Sequence, residues 1–260
     1  MFSVPAQAYG RFMGRYSEPL ATGFADWAGV RAPGRALDVG CGPGALTRVL
    51  VDRLGAGAVA AVDPSEPFVE AARARFPEVD VRRASAEQLP FPDGAFDVVL
   101  AQLVVHFMAD PVRGLAEMAR VARPGATIAA CVWDYGGRRS PLDPFWAAAH
   151  DVTPGVRDET HLAGARQGHL AELFAAAGLP DADSGELAVE ASHPTFEDWW
   201  EPYTLGVGPA GVHVASLSAQ DRDRLRDRCR ELLPAPPFTT RAVALAARAV
   251  VTTSAPAPAP

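Results

Sequence analysis

The amino-acid sequence predicts an α/β protein whose core is a seven-stranded, mostly parallel sheet with helices on both faces. Short apolar segments of strand character alternate along the chain with segments whose apolar residues recur at helical spacing. Neighbouring parallel strands need crossover connections, so this alternation favours helices packed on both sides of one sheet. Nearly half of the 260 residues are apolar (48%), which is enough to bury such a core.

The first five predicted strands lie in the first half of the chain. They are residues 35–39, 59–62, 79–83, 96–100 and 127–132. Leu46 and Leu50 lie on the inner face of the helix that follows the first strand. Ser65 stands where the N-cap of the next helix is expected, and Pro111 begins a later helix that reaches residue 123. Gly125, after a proline, then turns the chain into the fifth strand.

The second half is predicted to complete the sheet. A helix that ends at Gly178 comes first, followed by strands at residues 186–191 and 239–251 with a helix around Leu225 between them. Residues 254–260 are rich in proline and alanine, and we expect this tail to be disordered.

Composition argues against several classes of protein. The net charge is −7 and no basic stripe is present to neutralise phosphates, which argues against a nucleic-acid partner. No apolar run is long enough to predict a transmembrane helix, and the first residues lack the pattern of a secretory signal. Cys41, Cys131 and Cys229 are far apart, so they predict a reduced, cytoplasmic protein with no disulfide framework and no metal site.

Lysine is absent from the chain, since every residue of the Lys+Arg total is arginine. A Schiff-base lysine, the lysine of a phosphate-binding loop and a lysine that assists a dehydrogenase tyrosine are therefore all excluded.

The segment ALDVGCGPGALTRVL, residues 36–50, carries the strongest chemical signal. Gly40, Gly42 and Gly44 fall between the first strand and its helix, where bare backbone allows a tight turn and the close approach of a ligand. The helix N-terminus behind them offers unpaired N–H groups. Asp38 precedes these glycines, and its carboxylate would repel a pyrophosphate but attract a cationic amino-acid group.

Two further features agree with a bound cofactor. Asp63 ends the second strand, where an acidic residue accepts hydrogen bonds from both hydroxyls of a ribose. A helix cap is the alternative role for Asp63, although Ser65 fills that role better. The polar loop ASAEQLPFPDGAFDVVL, residues 84–100, leads into the fourth strand.

These motifs together resemble the class I S-adenosylmethionine-dependent methyltransferases, in the type 11 branch that includes the ubiquinone/menaquinone methyltransferases. The DxGxGxG cofactor loop of that family is matched by residues 38–44, and its ribose-binding acidic residue is matched by Asp63. Its adenine-contacting segment, GDAExLPFPDxxFD, resembles residues 84–97. The resemblance covers residues 35–133 well and the chain after residue 165 more loosely. It implies a Rossmann-like fold, S-adenosylmethionine as the cofactor and methyl transfer as the reaction.

One residue departs from the family pattern. Ser85 stands where the family usually has an aspartate that accepts the adenine amino hydrogen. A hydroxyl accepts this hydrogen bond more weakly than a carboxylate, so we expect adenine recognition to depend also on the backbone of Ala86.

The resemblance predicts a single domain over residues 1–253. Residues 1–34 would form an N-terminal helical lid, residues 35–133 the cofactor-binding core, and residues 134–253 the acceptor-side insertions and the last strands. In similar enzymes such a lid covers the cofactor.

Several other polar residues are candidates for the same site. Tyr9, Arg15 and Tyr16 in the lid are predicted to approach the methionine carboxylate of the cofactor, Arg15 through a charge-assisted pair. A solvated amphipathic helix is the alternative for this segment. Gln102 directly follows the fourth strand, so it is predicted to contact the methionine end of the cofactor, with a loop cap as the alternative.

The acceptor is predicted to be a small, apolar or aromatic metabolite. Aromatic residues concentrate in the insertions at residues 133–166 and 193–237, where they are candidates for the walls of an apolar pocket. His106 is the best candidate for a general base, with a packing role as its alternative. Methyl transfer is an in-line displacement that alignment alone accelerates, so a base is not obligatory. The oligomeric state stays open.

Three rival functions remain at this point. A nicotinamide-dependent oxidoreductase would use a similar fold, although Asp38 and the absence of lysine count against it. A DNA-amine methyltransferase would carry a [D/N]-Pro-Pro-aromatic motif after the fourth strand, where this chain has AQLV. A non-catalytic cofactor-binding module that regulates a partner is the third.

Overall fold

The computed structural model describes residues 6–252 and contains one seven-stranded sheet in the order β3-β2-β1-β4-β5-β7-β6. The first five strands pair in parallel, and β7 runs antiparallel between β5 and β6. The strands are β1 (Ala36–Val39), β2 (Val59–Asp63), β3 (Asp80–Arg83), β4 (Phe96–Gln102), β5 (Ala122–Trp133), β6 (Asp183–His193) and β7 (Phe238–Val250). The predicted α/β class and mostly parallel sheet are confirmed. The predicted disordered tail at residues 254–260 lies outside the described residues.

Ten α-helices occur among the residues that the structure describes. They are α1 (Ala6–Tyr9), α2 (Arg15–Trp27), α3 (Ala45–Leu54), α4 (Glu66–Arg75), α5 (Pro111–Val121), α6 (Asp143–Val152), α7 (His169–Ala176), α8 (Phe196–Trp200), α9 (Gly208–Ser216) and α10 (Ala219–Leu232). One turn of π-helix, Gly10–Gly14, joins α1 to α2, and short 3₁₀ turns occur at Ala56–Ala58, Val105–Phe107 and Glu201–Leu205. No helix within residues 6–252 is both long enough and apolar enough to cross a membrane.

The sheet separates two apolar clusters. Ala36 of β1 faces one cluster and its neighbour Leu37 faces the other, because successive side chains of a strand point to opposite faces. The first face is covered by α2, α3, α6 and part of α10, and the second by α5 and α7. Burial on both faces explains why the central strands are almost entirely apolar rather than alternating.

Local details differ from the sequence prediction at two points. Ser65 does occupy the N-cap position of α4, but its side chain makes no capping hydrogen bond. The strand β5 begins earlier than predicted, at Ala122, and carries an exposed irregularity where Gly125 adopts φ +81°. The register against β4 shifts at this point, so the predicted turn is a bulge at the beginning of the strand.

The topology brings the carboxyl ends of β1, β2 and β4 side by side at one edge of the sheet. In open α/β sheets ligands bind outside the carboxyl ends of the strands, next to the point where the strand order reverses. Here β1 lies between β2 and β4, and the glycine loop follows β1 directly.

Candidate cofactor and acceptor site

A cavity of about 470 Å³ opens at this edge of the sheet. Its volume falls within the range of small-molecule and cofactor sites. Seven residues predicted from the sequence lie on its wall, namely Tyr9, Gly40, Gly42, Asp63, Ser85, Ala86 and Gln102. Five separate segments of the chain therefore meet at one cavity.

The glycine loop is held close to β2 and β4. The N–H groups of Gly40 and Cys41 both donate to the carbonyl of Val62, at 2.8 and 2.9 Å. Gly40 has φ +70°, and a Cβ atom there would lie 2.4 Å from a methyl carbon of Val104. Gly42 has φ +53° and nothing within 4 Å of such an atom, so its open side lies on the cavity. Gly44 precedes α3 and faces Phe76, away from the cavity wall.

Asp63 lies on the cavity wall with both carboxylate oxygens in use. Oδ2 accepts the N–H of Gly42 at 2.9 Å and Oδ1 accepts the N–H of Ser65 at 2.8 Å. Burial raises the pKa of Asp63, and the two backbone hydrogen bonds oppose that shift. A carboxylate oxygen has a second lone pair, so each of these atoms can still accept a ligand hydroxyl.

Asp38 lies behind the loop, outside the cavity wall. It is buried at the end of β1, and its Oδ2 accepts the hydroxyl of Thr47 in α3 at 2.6 Å. Burial raises the pKa of Asp38 to about 7. The side chain therefore anchors α3 to the sheet, and its predicted contact with a cationic group stays a prediction.

We expect the cofactor-free protein to lose stability as the pH rises from about 5.5 to about 7. The pKa of Asp38 is raised by burial from 3.8 to about 7, so the folded chain binds more protons than the unfolded chain between those values. Stability is then highest below the unfolded pKa and falls as the pH rises toward 7, by about 2 kcal/mol over the range 5.5 to 7. Urea unfolding of the protein and of Asp38→Asn at both pH values measures this contribution. The same pH dependence in both proteins would contradict it.

Gln102 lies on the cavity wall with one polar atom unsatisfied. Its Nε2 donates to the carbonyl of Ser17 in α2 at 2.9 Å, while its buried Oε1 has no hydrogen-bond partner among the described residues. A buried acceptor without a partner costs about 1–3 kcal/mol. Gln102 thus joins α2 to β4, and its Oε1 is covered by the surrounding protein.

Arg15 does not line this cavity. Its Nη1 donates to Oδ2 of Asp198 at 2.8 Å and lies 2.8 Å from Nδ1 of His193. Tyr16 is also directed away, because its hydroxyl hydrogen-bonds Thr240 at 2.8 Å. The prediction that Arg15 pairs with the cofactor carboxylate does not fit this geometry, since the guanidinium already has an anionic partner 183 positions later. Tyr9 alone of the three lid residues reaches the cavity.

A second, smaller chamber of about 30 Å³ adjoins the large cavity. The two share five wall residues: Tyr9, Leu103, Phe107, Gly208 and Pro209. The other wall residues of the chamber are mostly apolar or aromatic and come from the lid, β5 and the later insertions. Of the aromatic residues in the two insertions, Trp133 and Tyr135 line this chamber. Trp200 instead stacks on Phe196, and the predicted acceptor pocket stays a prediction.

His106 lies on the wall of this chamber. Its ring packs against Phe107 and Tyr135, with centroids 3.9 and 6.0 Å away, and its Nδ1 has no hydrogen-bond partner. Burial lowers the pKa of His106 to about 3. The imidazole is therefore neutral near pH 7 and is a weak base.

Sequence reasoning missed two residues of this region. Leu103 lies on both walls and has φ +61°, which is unusual for a residue with a branched side chain. Glu159 is a buried carboxylate on the chamber wall, and it comes from a loop with no recognisable motif. A positive φ at a leucine cannot be read from the sequence. The burial of Glu159 cannot be read locally either, because it depends on residues from other segments.

Comparison with known proteins agrees with this geometry. Residues 37–130 match the family model described as a methyltransferase domain. An uncharacterized methyltransferase of Mycobacterium tuberculosis is 30% identical over 227 residues, which cover 85% of this chain and 82% of the relative. The chain belongs to the class I S-adenosylmethionine-dependent methyltransferases. The methyltransferase therefore uses S-adenosylmethionine as its cofactor, and the resemblance seen in the sequence is confirmed.

Solved structures of the same fold include enzymes with quite different acceptors. A geranyl diphosphate methyltransferase in complex with S-adenosylmethionine superposes with a TM-score of 0.51 at 18% identity, over 92% of this chain and 87% of that one. A phosphoethanolamine N-methyltransferase of Haemonchus contortus, bound to S-adenosylhomocysteine, superposes with a TM-score of 0.58 at 17% identity. The match covers 94% of this chain and 56% of that one. At these identities the likeness shows the fold alone.

The wall of the large cavity fits the cofactor of this family. The open side of Gly42 allows a ligand to approach the backbone closely. The carboxylate of Asp63 is held on the same wall by the N–H of Gly42 and is a hydrogen-bond acceptor there. Within residues 6–252, no group of three or more His, Cys, Asp or Glu side chains is placed to hold a metal ion.

Proposed function

We propose that this methyltransferase transfers a methyl group from S-adenosylmethionine to a small, largely apolar or aromatic metabolite. The observation that carries the proposal is the buried chamber beside the cofactor-sized cavity, with a wall of mostly apolar and aromatic side chains. An apolar chamber favours acceptors whose reacting group sits on an apolar body. When bound, the cofactor supplies a methyl group on a positively charged sulfur.

The residues of the large cavity divide by their chemistry. Asp63 would accept hydrogen bonds from the ribose hydroxyls, and Ser85 with Ala86 would meet the adenine. Gln102 would lie beside the methionine end of the cofactor, while Gly42 leaves its backbone open to the ligand. Each of these residues lies on the cavity wall.

We further propose that the protein acts in the cytoplasm on a free metabolite. Cys41, Cys131 and Cys229 are buried free thiols, which fits a reducing compartment. The net charge of −7 argues against nucleic acid as the acceptor.

His106→Ala is expected to lower kcat by less than the roughly 10²–10⁴-fold typical of a lost general base. The physical reason is that burial already makes the imidazole a weak base, so its loss removes wall contacts of the chamber rather than proton transfer. Steady-state kinetics with an acceptor that receives the labelled methyl group measures kcat of this variant. The matched control is His161→Ala, at an exposed histidine. Complete loss of turnover in a folded His106→Ala would instead assign proton transfer to this residue.

Transfer of a labelled methyl group to a panel of acceptors tests the proposal. The purified protein is incubated with methyl-labelled S-adenosylmethionine and phenols, quinones, amines, nucleic acids or proteins. We expect label only on small apolar or aromatic molecules, and reduced label with Asp63→Ala. Label confined to nucleic acids or proteins would refute the small-molecule acceptor. Cofactor binding without transfer to any acceptor would favour the non-catalytic regulatory module.

A further inference from the structure

The chamber contains a carboxylate that the reaction outlined above does not use. Glu159 is only 3% exposed and lies on the chamber wall with His106. Its Oε2 accepts the indole N–H of Trp146 at 2.6 Å, which fixes the group firmly. Its Oε1 lies 3.4 Å from the hydroxyl of Tyr135, a long contact that leaves this oxygen able to accept another hydrogen bond.

The surroundings of Glu159 lack a compensating positive charge. The charged residues that act on it, Asp158 and Asp143, are both acidic, and the other titratable groups near it are Tyr135, Tyr203 and the neutral His106. Burial raises the pKa of Glu159 to about 7, and the negative charges of Asp158 and Asp143 add to this shift. A buried carboxylate needs a paired cation or several donors, and Glu159 has one short hydrogen bond.

The shape of the chamber indicates the size of the missing partner. A volume of about 30 Å³ admits one small group, and the rest of a metabolite must lie outside it, against the shared wall of Tyr9, Leu103 and Phe107. Aromatic rings surround the chamber, and the faces of such rings attract cations. The rings on its wall belong to Tyr9, Phe12, Phe107, Trp133 and Tyr135.

We infer that Glu159 is the acceptor-binding carboxylate and that the acceptor is an amine, whose ammonium head enters the chamber while its apolar body remains outside. This inference rests on the proposed function, since it assigns the reacting group of the same acceptor. A neutral phenol or alcohol would leave the negative charge of the chamber uncompensated. An ammonium neutralises it, and the carboxylate also offsets the repulsion between that ammonium and the cationic sulfur of the cofactor.

Glu159 also gives the amine a route to its reactive form. Transfer of one proton from the ammonium to Oε1 breaks an N–H bond, forms an O–H bond and leaves the nitrogen lone pair free. Both products are uncharged, so this transfer leaves no unpaired charge in the chamber. The short hydrogen bond from Trp146 keeps Oε1 directed at the same place before and after this transfer.

The indole N–H of Trp146 reports on Glu159 directly, so nuclear magnetic resonance of the whole protein tests the inference. The protein is labelled with ¹⁵N-tryptophan and titrated over pH with S-adenosylhomocysteine present, and the Trp146 signal is assigned with Trp146→Phe. Benzylamine is then compared with benzyl alcohol, which has nearly the same shape and no charge. We expect benzylamine to lower the midpoint of the Trp146 signal by about one to three pH units, and benzyl alcohol to leave it unchanged.

The control variant is Glu159→Gln, in which the Trp146 signal should show no such titration. The comparison of the two ligands on the unmodified protein decides the inference even if that variant fails to fold. Equal shifts with benzyl alcohol and benzylamine, or no shift with benzylamine at saturating concentration, would overturn the amine assignment.

The two proposals fail separately. Methyl label on phenols but never on amines would leave small-molecule methylation standing and overturn the amine assignment. A benzylamine-dependent shift of the Trp146 signal, in a protein that labels no small molecule, would support amine binding and refute the proposed reaction.

Discussion

Asp63→Ala is expected to weaken S-adenosylmethionine binding by about 1.5–3 kcal/mol, which is roughly a 10- to 150-fold rise in Kd. Two losses combine in this variant. The proposed hydrogen bonds from the ribose hydroxyls lose their charged acceptor, and the N–H of Gly42 loses the hydrogen bond that holds the loop in position. Isothermal titration calorimetry measures the change, with circular dichroism to confirm that the fold is retained.

The matched control for this prediction is Asp52→Ala. It makes the same change of charge at an exposed position on α3, where the carboxylate lies 3.4 Å from the guanidinium of Arg48. We expect its Kd to equal that of the unmodified protein. An unchanged Kd in a folded Asp63→Ala would mean that Asp63 only holds the loop and the N-terminus of α4.

Gly40→Ala is expected to be the most damaging single change in the cofactor loop. The new Cβ would lie 2.4 and 2.6 Å from the two methyl carbons of Val104, and the backbone at φ +70° disfavours any residue with a side chain. The clash and the backbone strain together cost on the order of 3 kcal/mol of unfolding free energy. Because Gly40 lines the cavity, cofactor binding should weaken with it.

Two further variants separate the causes in Gly40→Ala. Gly57→Ala adds a methyl group where nothing lies within 4 Å and φ is not positive, so we expect almost no change in Tm. Adding Val104→Ala to Gly40→Ala removes the clash but keeps the backbone strain, so stability should recover in part. A Gly40→Ala protein with the Tm of the unmodified protein would contradict the close packing of this loop.

The central strands of the sheet, such as β1 and β2, were predictable because they are buried on both faces and separated by a segment with apolar residues at helical spacing. The pairing of β6 with β7 was harder to predict, because β6 alternates between exposed and buried residues. This strand also contains Ser184 and Glu190, which have no strong strand preference. The ladder with β7 stabilises these positions through contacts that the local sequence does not show. Gly125 misled the prediction in a similar way, because a bulge and a turn both use a glycine with positive φ.

The wall of the large cavity was predictable where the chemistry is local. Asp63, Gly42 and Ser85 follow from spacing, because the loop, the strand end and the following segment each carry their own signal. The pair between Arg15 and Asp198 was not predictable, because the two residues are distant in the chain and no local pattern shows it. The position of Glu159 was not predictable either, because its hydrogen-bond partners Trp146 and Tyr135 lie in other segments of the chain.

Calorimetric titration of the purified protein with S-adenosylmethionine, S-adenosylhomocysteine and NADH tests whether the large cavity binds the methyl donor. We expect both adenosyl compounds to bind with one site per chain, Asp63→Ala to weaken the binding of both, and NADH to give no binding heat. Binding of NADH in the absence of any binding of S-adenosylmethionine would contradict the assignment of this cavity and favour the oxidoreductase alternative.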